Sequence, residues 1–285
     1  MSKSNIIILA TFWNEIEWIE ASLAQIERID PIEIIICDGN FDPSVKNRST
    51  DGTREKIEQF LKKTKIPSQM ISAIRIKNNL FKGINILKHS GCTKLSGFNL
   101  GRLKVAAVSQ IKTNIYRVNQ ALTFAHMCRL SKKWQIGNWV MTYDADQFYS
   151  DELIDSFSAT VRKDFNYDLI AANELTFPYS FSQFTKEYEN RTWNNLPHKI
   201  KNNMAIYPTR HFMIERSHSA INYQDDAKII HSGLYHHYKF RKNKKRIKDG
   251  YNLGDRKPPN IERYKNLQTM DKSLLPTVIK KIFKT

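Results

Sequence analysis

The 285-residue chain has no run of about 18 apolar residues, the length a membrane-spanning helix needs, so no part of it is expected to cross a bilayer. The first apolar run, Ile6 to Ala10, is too short for the core of a secretory leader and leads straight into the polar pair Asn14-Glu15. This implies a cytoplasmic protein, soluble or peripheral at the inner face of the membrane. Cysteine is scarce. Cys37, Cys92 and Cys128 are odd in number and far apart, which excludes a disulfide framework and a zinc cluster and leaves reduced side chains. There is no glycine-rich phosphate loop with its lysine, and no internal repeat. What remains, 41% hydrophobic and 11% aromatic residues, is core material for one large domain or two small ones.

Acidic residues are also short: 28 Asp and Glu stand against 45 Lys and Arg, a formal net charge of +17. Residues 1 to 238 hold 30 basic against 24 acidic side chains, and residues 239 to 285 hold 15 against 4. The excess therefore gathers at the carboxyl end, where it attracts anions such as nucleotide diphosphates, acidic glycans, anionic lipid or nucleic acid without choosing among them. Seven Lys or Arg lie between Lys239 and Lys248, and Leu274, Leu275, Val278, Ile279, Ile282 and Phe283 interleave with lysines on a short amphipathic helix. That pattern suggests a peripheral contact with anionic membrane or glycan, the alternative being a solvated tail packed on the domain before it.

Strand and helix signals alternate. Ile6 to Ala10 reads as a buried strand, and Asn14 to Ile29 as a helix with Ile16, Ile19, Leu23 and Ile26 inward. Ile32 to Cys37 is a second strand, Ser49 to Gly52 opens another helix, and Met70 to Ile76 is a third strand. Asn78 to Gln110, dotted with glycine, shows no sustained period and is expected to be irregular. A helix over Ile115 to Leu130 leads into the apolar strand Val140 to Tyr143. A helix over Asp151 to Val161, a strand from Tyr167 to Ala172 or on to Phe177, and a late strand from Gly233 to Phe240 follow. Repeating β-α units imply a mainly parallel sheet flanked by helices. The aromatic stretch after Pro178, with Tyr179, Phe181, Phe184, Tyr188 and Trp193, suits either the packing of a mixed lobe or a platform for sugar rings.

The strand Val140 to Tyr143 breaks directly into Asp144-Ala145-Asp146. Ligands of open α/β sheets bind beyond the carboxyl ends of the strands, and hard carboxylate oxygens there suit Mg²⁺ or Mn²⁺ carrying a diphosphate. An acceptor hydroxyl would need a carboxylate base, for which Glu174, Asp225 and Asp226 are candidates.

Taken in order, Asn14-Glu15, Asp38-Gly39, Ser49-Thr50-Asp51-Gly52-Thr53, Trp139 to Asp146 and the late His237-Tyr238 resemble the family-two glycosyltransferases of the GT-A fold. The resemblance covers roughly residues 5 to 240 and rests on order and context, since no single motif is specific. It implies a GT-A, Rossmann-like catalytic domain over residues 1–240, with a mixed acceptor-side lobe and a basic extension over 241–285. It also implies a hexosyltransferase-type enzyme that moves a sugar from a UDP or GDP type donor to a glycan or lipid-linked acceptor. The reaction would be inverting, dependent on Mn²⁺ or Mg²⁺, and part of cell-surface polysaccharide synthesis. Thr11, Phe12 and Glu15 would hold the nucleotide, and Asp38 would accept a hydrogen bond from the base. Arg117 and Asn119 would lie near the diphosphate, and Asp144 near ribose or metal. Asp146 would ligate the metal, with His237 as third ligand; His236 points to the opposite face of an extended strand. One departure stands out: Phe41 to Arg48 interrupt what is often a single Asp-Gly to Thr motif, which puts the second half in question as a nucleotide contact. A metal-dependent nucleotidyltransferase is the alternative. Nucleic acid fits poorly, because Asp38, Asp144 and Asp146 at one sheet edge repel phosphates.

Overall fold

The computed structural model describes residues 4–93, 100–163, 166–185, 191–192, 195–202, 204–206, 208, 212–214, 227–240 and 266–284. The strands are β1 (Ile6–Phe12), β2 (Glu33–Asp38), β3 (Ser68–Ile71), β4 (Trp139–Asp144), β5 (Gln147–Tyr149), β6 (Leu169–Ser180) and β7 (Gln183–Thr185). They continue with β8 (Arg191–Thr192), β9 (His198–Lys199), β10 (Met204–Ile206), β11 (Phe212–Ile214), β12 (Ala227–His237) and β13 (Gln268–Thr269). The helices are α1 (Ile19–Ile29), α2 (Thr53–Lys63), α3 (Lys82–His89), α4 (Leu100–Lys112), α5 (Ile115–Leu130), α6 (Asp151–Arg162) and α7 (Thr277–Phe283).

The main sheet runs β13-β7-β6-β9-β4-β1-β2-β3, with β12 and β8 also on β6 and β5 on β12. Its centre is parallel: β1 pairs with β2 and β4, β2 with β3, and β12 with β6. Its other side is antiparallel through β5, β7, β8, β9 and β13. β1 reads Ile-Ile-Ile-Leu-Ala-Thr-Phe because it is buried on both faces. Ile6, Ile8, Ala10 and Phe12 meet α1, α2 and α6 on one face, while Ile7 and Leu9 meet Val118, Leu122 and Met127 of α5 on the other. This is an α/β protein with a central, mostly parallel sheet between helical layers.

Four expectations need correction. The first helix starts at Ile19 rather than Asn14, because Asn14 has φ 52° and the N–H groups of Asn14, Glu15 and Ile16 donate to Ser49 Oγ, Thr53 Oγ1 and Asp51 Oδ2. Those side chains take the donors that a helical turn would use. β3 ends at Ile71; beyond it Ile74 and Ile76 donate to Thr123 Oγ1 and Asn119 Oδ1 of α5 instead of to a strand. The segment expected to be irregular contains α3 and α4. Gly83 there serves close packing, since a Cβ on it would stand 2.7 Å from the Ala106 carbonyl oxygen. Finally, residues 268–283 belong to the body and are not a separate extension. β13 pairs with β7, and Leu275, Val278, Ile279, Ile282 and Phe283 pack with Trp18 and Phe181. The apolar side of α7 is therefore spent inside the protein. Phe181 and Phe184 likewise pack in this cluster; Tyr188, Trp193 and the charge run from Arg241 to Lys248 lie outside the described residues.

The register of β12 against β6 shifts between Ile230 and Tyr235, so that Tyr235 stands opposite Glu174 and His237 opposite Thr176. Gly233 lies in this irregularity with φ 85°, and a Cβ on it would come within 2.4 Å of the Leu153 nitrogen. Gly233→Ala should cost about 1 to 3 kcal/mol through backbone strain and overpacking. Urea unfolding measures this, and an unchanged midpoint would show that the bulge does not need glycine.

Candidate active site

Parallel pairing brings the strand ends into line. Thr11 is opposite both Cys37 of β2 and Asp144 of β4, and Phe12 is opposite Asp38. The side chains then diverge by the alternation of a strand. Thr11 Oγ1 donates to Asp144 Oδ1 at 3.1 Å, whereas Phe12 turns into the core, edge-on to Tyr143. The Phe12 ring thus packs in the core and is not presented at the strand ends. Asp144 Oδ2 is approached at 3.5 Å by Gln147 Nε2 and Asn195 Nδ2. Asn195 itself adopts φ 58°, with its Oδ1 accepting from Thr142 Oγ1 and its carbonyl accepting from the Tyr149 hydroxyl.

The tight turn between β4 and β5 is fixed by the buried Gln25 of α1. Its Oε1 accepts from the Tyr149 nitrogen and the Tyr143 hydroxyl, and its Nε2 donates to the Tyr149 carbonyl. A buried amide with partners on both sides holds Ala145 and Asp146 in place.

Asp146 is fully buried, and its Oδ2 lies 3.2 Å from His237 Nε2. The other ring nitrogen, Nδ1, lies 3.1 Å from Glu174 Oε1, which also accepts from Thr176 Oγ1 at 3.3 Å. Burial alone would pull the His237 pKa down, but the hydrogen bonds and charges of Asp146 and Glu174 outweigh it and raise the pKa above the ordinary value. Glu174 answers in kind: burial pushes its carboxyl up, while His237, Lys239 and Thr176 bring it below the ordinary value. His237 thus lies between two carboxylates that both favour its protonated form. His236 faces away. It stacks on Phe177 at 5.3 Å with 13° between planes, its Nδ1 lies 3.3 Å from the Tyr238 hydroxyl, and burial pulls its pKa down to about 3. It is not brought to the carboxylates.

Asp38 is fully buried, and its own chain engages it. Oδ1 accepts from the Ser49 nitrogen at 3.1 Å and Oδ2 from Arg54 Nη1 at 3.1 Å. The interruption from Phe41 to Arg48 is looped out: Asn40 donates to the Asn47 carbonyl, Asn47 Nδ2 donates to the Ala73 carbonyl, and Ser49 returns beside Asp38. Gly39 permits this, since a Cβ there would stand 2.6 Å from Asn47 Oδ1 and 2.7 Å from the Ala73 nitrogen. The Asp-Gly and Ser-Thr-Asp-Gly-Thr pieces, separated in sequence, are therefore reunited in space. The Asn14-Glu15 motif meets them as well: the Asn14 and Glu15 nitrogens donate to Ser49 Oγ and Thr53 Oγ1, and Asn14 Oδ1 accepts from the Thr50 nitrogen.

Asn119 is buried within α5 and holds Phe41, Ile76 and Thr123. Arg117 donates to Gln120 Oε1 and covers the Tyr116 ring. Asp225 and Asp226 lie outside the described residues. Asn195, Gln147 and Gln25 were missed in the sequence. They are single amides without a motif, and only the fold brings them to Asp144 and the turn.

Among the described residues no group of three or more His, Cys, Asp and Glu is arranged to hold a metal ion by itself. Mg²⁺ at a diphosphate needs only one or two protein carboxylates, the phosphates supplying further oxygens, so Asp144 and Asp146 are chemically suited to such a shared ion. A histidine ligand whose second nitrogen is held by a carboxylate is the usual outer-shell arrangement at metals, and Glu174 stands in that relation to His237.

No protein-family model matches the sequence, and no curated protein matches it. Among solved structures, S. aureus TarS aligns at 13% identity and TM-score 0.30 over 61% of this chain and 22% of its own. A 1-349 piece of the same protein aligns at 11% identity and TM-score 0.36, over 83% and 60% respectively. Mouse xyloside xylosyltransferase 1 aligns at 10% and 0.25, over 60% and 53%. The chain thus spans less than two thirds of each neighbour. Likeness at these scores carries no argument, and the case below rests on the site.

The linkage of His237 is testable without a ligand. A raised folded-state pKa contributes stability that is complete below the unfolded value near 6.5 and is lost as pH rises through the folded value. Glu174, with its lowered pKa, contributes above about 4.5 and loses that as pH falls. His237→Gln should therefore destabilise the metal-free protein more at pH 6 than at pH 9. Equal losses of melting temperature at the two pH values would contradict the raised pKa of His237.

Proposed function

We propose that the chain is a glycosyltransferase that moves a sugar from a nucleotide-diphosphate donor, of UDP or GDP type, to a glycan or lipid-linked acceptor, using Mn²⁺ or Mg²⁺. The observation that carries this is the pair Asp144 and Asp146 at the carboxyl end of the central strand, with Thr11 on one side and the His237-Glu174 pair on the other. The interrupted motif supports it too, because its two halves meet beside that edge.

In this reading Asp144 and Asp146 would share the cation with phosphate oxygens of the donor, and His237, now bonded to Asp146, would stand beside it as a further nitrogen donor once deprotonated. When bound, the cation offsets the negative charge that builds on the departing nucleoside diphosphate. Thr11 orients the Asp144 carboxylate by donating to Oδ1, and Glu174 fixes the ring of His237 through Nδ1. An inverting transfer needs a carboxylate to take the proton of the acceptor hydroxyl. Glu174 is engaged with His237 and Thr176 and is read as a positioning residue, while Asp225 and Asp226 stay candidates for the base. The Asp38 carboxylate shapes the nucleotide side of the site by holding Ser49 and Arg54, with base recognition a further use of the same group.

Incubation with a panel of nucleotide sugars, with release of the nucleoside diphosphate measured, tests the proposal. At least one donor should be turned over, excess EDTA should abolish turnover, and Asp146→Asn should lower it by about 100-fold or more. No turnover of any donor, or full activity in EDTA, would count against the reading. Pyrophosphate as the released product would instead identify a nucleotidyltransferase.

A further inference from the structure

The net charge of residues 1 to 238 conceals a segregation. Residues 1–58 carry 6 Lys or Arg against 11 Asp or Glu, and residues 144–238 carry 9 against 13. Residues 59–143 carry 15 and no acidic residue at all. This basic block contains α3 and α4, an antiparallel pair: Asn79 and Gly83 of the earlier segment bond to Gln110, and Lys82 bonds to the Thr113 carbonyl.

Gly83 lies against Ala106 and Gln110, which fixes the seam between the two helices. On an antiparallel pair, residues one step beyond the seam on each helix project to the same side, since each step turns by about 100° and the two rotations mirror each other. Ile84 on one helix and Ala107 and Ile111 on the other take that step, and Leu80 and Leu103 lie close to it in rotation. All are exposed, Ile111 at 82% and Leu80 at 73%, with exposed Phe81 and Val108 farther round. Lys77, Lys88, Lys104 and Lys112, all exposed, flank them. A set of large aliphatic side chains in water is unusual away from a binding surface.

We propose that this outer face of the α3-α4 pair docks onto an anionic lipid surface. Aliphatic side chains interleaved with lysines suit the boundary of acyl chains and anionic headgroups, where both kinds of side chain gain. Aliphatic tips gain nothing from a polyphosphate strand, and a second copy would bring lysines against lysines. The apolar residues of α7 are buried against Trp18, so that helix does not offer such a face, whereas the α3-α4 pair exposes several large aliphatic side chains among lysines. The topology also sets an orientation. α5 precedes the parallel strand β4, so its amino end lies at the sheet edge that carries Asp144. The chain from Ile74 to Ile76 climbs toward that end on Thr123 and then Asn119 before reaching Leu80. The Leu80 and Ile111 end of the pair therefore lies on the same side of the sheet as the carboxylates.

Co-sedimentation with vesicles of phosphatidylcholine, alone or mixed with phosphatidylglycerol, tests this independently of any transferase activity. The full chain should pellet with the mixed vesicles and not with phosphatidylcholine alone. The combined change Leu80→Ser, Ile84→Ser and Ile111→Ser should weaken pelleting at least tenfold with an unaltered circular dichroism spectrum. Lys88→Glu with Lys104→Glu and Lys112→Glu should do the same. Absence of pelleting, equal pelleting on both vesicle types, or wild-type pelleting by either variant would overturn the proposal. So would a dimer that the serine changes abolish, or RNA binding that they leave intact, in a protein that ignores vesicles.

Discussion

The parallel pairing of β1 with β2 on one side and β4 on the other is the constraint from which the site follows. It is a run of main-chain hydrogen bonds between three apolar strands, and it leaves no freedom in where each strand ends. Thr11, Asp38 and Asp144 become neighbours because their strands finish level, so polar chemistry collects at the one edge that the buried isoleucines bring together. A one-residue slip of β4 would turn Asp144 away from Thr11 and move Tyr143 out of its packing with Phe12 and Tyr149.

Concentrating carboxylates at that edge carries an electrostatic cost, which the chain offsets locally. Arg54 covers Asp38, hydroxyl and amide donors surround Asp144, and the ring of His237, its pKa raised, stands between Asp146 and Glu174. The histidine is the adaptable member. The two carboxylates favour the protonated ring, and a neutral ring would have a nitrogen to offer a cation, so under the proposed function metal uptake would be coupled to loss of a proton. Glu174 keeps the ring in one orientation through both states.

Much of this was legible where a local pattern coincides with a global role. The run Ile6 to Ala10, the helix Ile115 to Leu130 and the break from Val140 to Tyr143 into Asp-Ala-Asp carry their structure in their periodicity. Other features depend on partners distant in the chain. Asp38 is tied to Arg54 only after an eight-residue loop folds away, and nothing local distinguishes that loop from an interruption of the motif. Strand alternation says that only one of His236 and His237 reaches the site, and the resemblance selects His237; the register shift at Gly233 and the pairing with Glu174 came only with the fold. In α3 and α4 glycine hid a helix. Gly83 reads as a breaker, yet it is there because a helix backbone passes too close for a Cβ. The basic block was likewise obscured by averaging its charge with acidic flanks on both sides.

The central claim is that the strand-end carboxylates and His237 bind a nucleoside diphosphate through a divalent cation. Isothermal titration calorimetry of UDP and GDP into the protein, with Mn²⁺ and with EDTA, tests it most directly when repeated on Asp146→Asn. The account predicts that one of the two nucleotides binds with Mn²⁺, that binding falls below detection in EDTA, and that the variant in Mn²⁺ behaves like the wild type in EDTA. Binding of equal affinity with and without the cation, or an Asp146→Asn variant that binds as the wild type does, would contradict it.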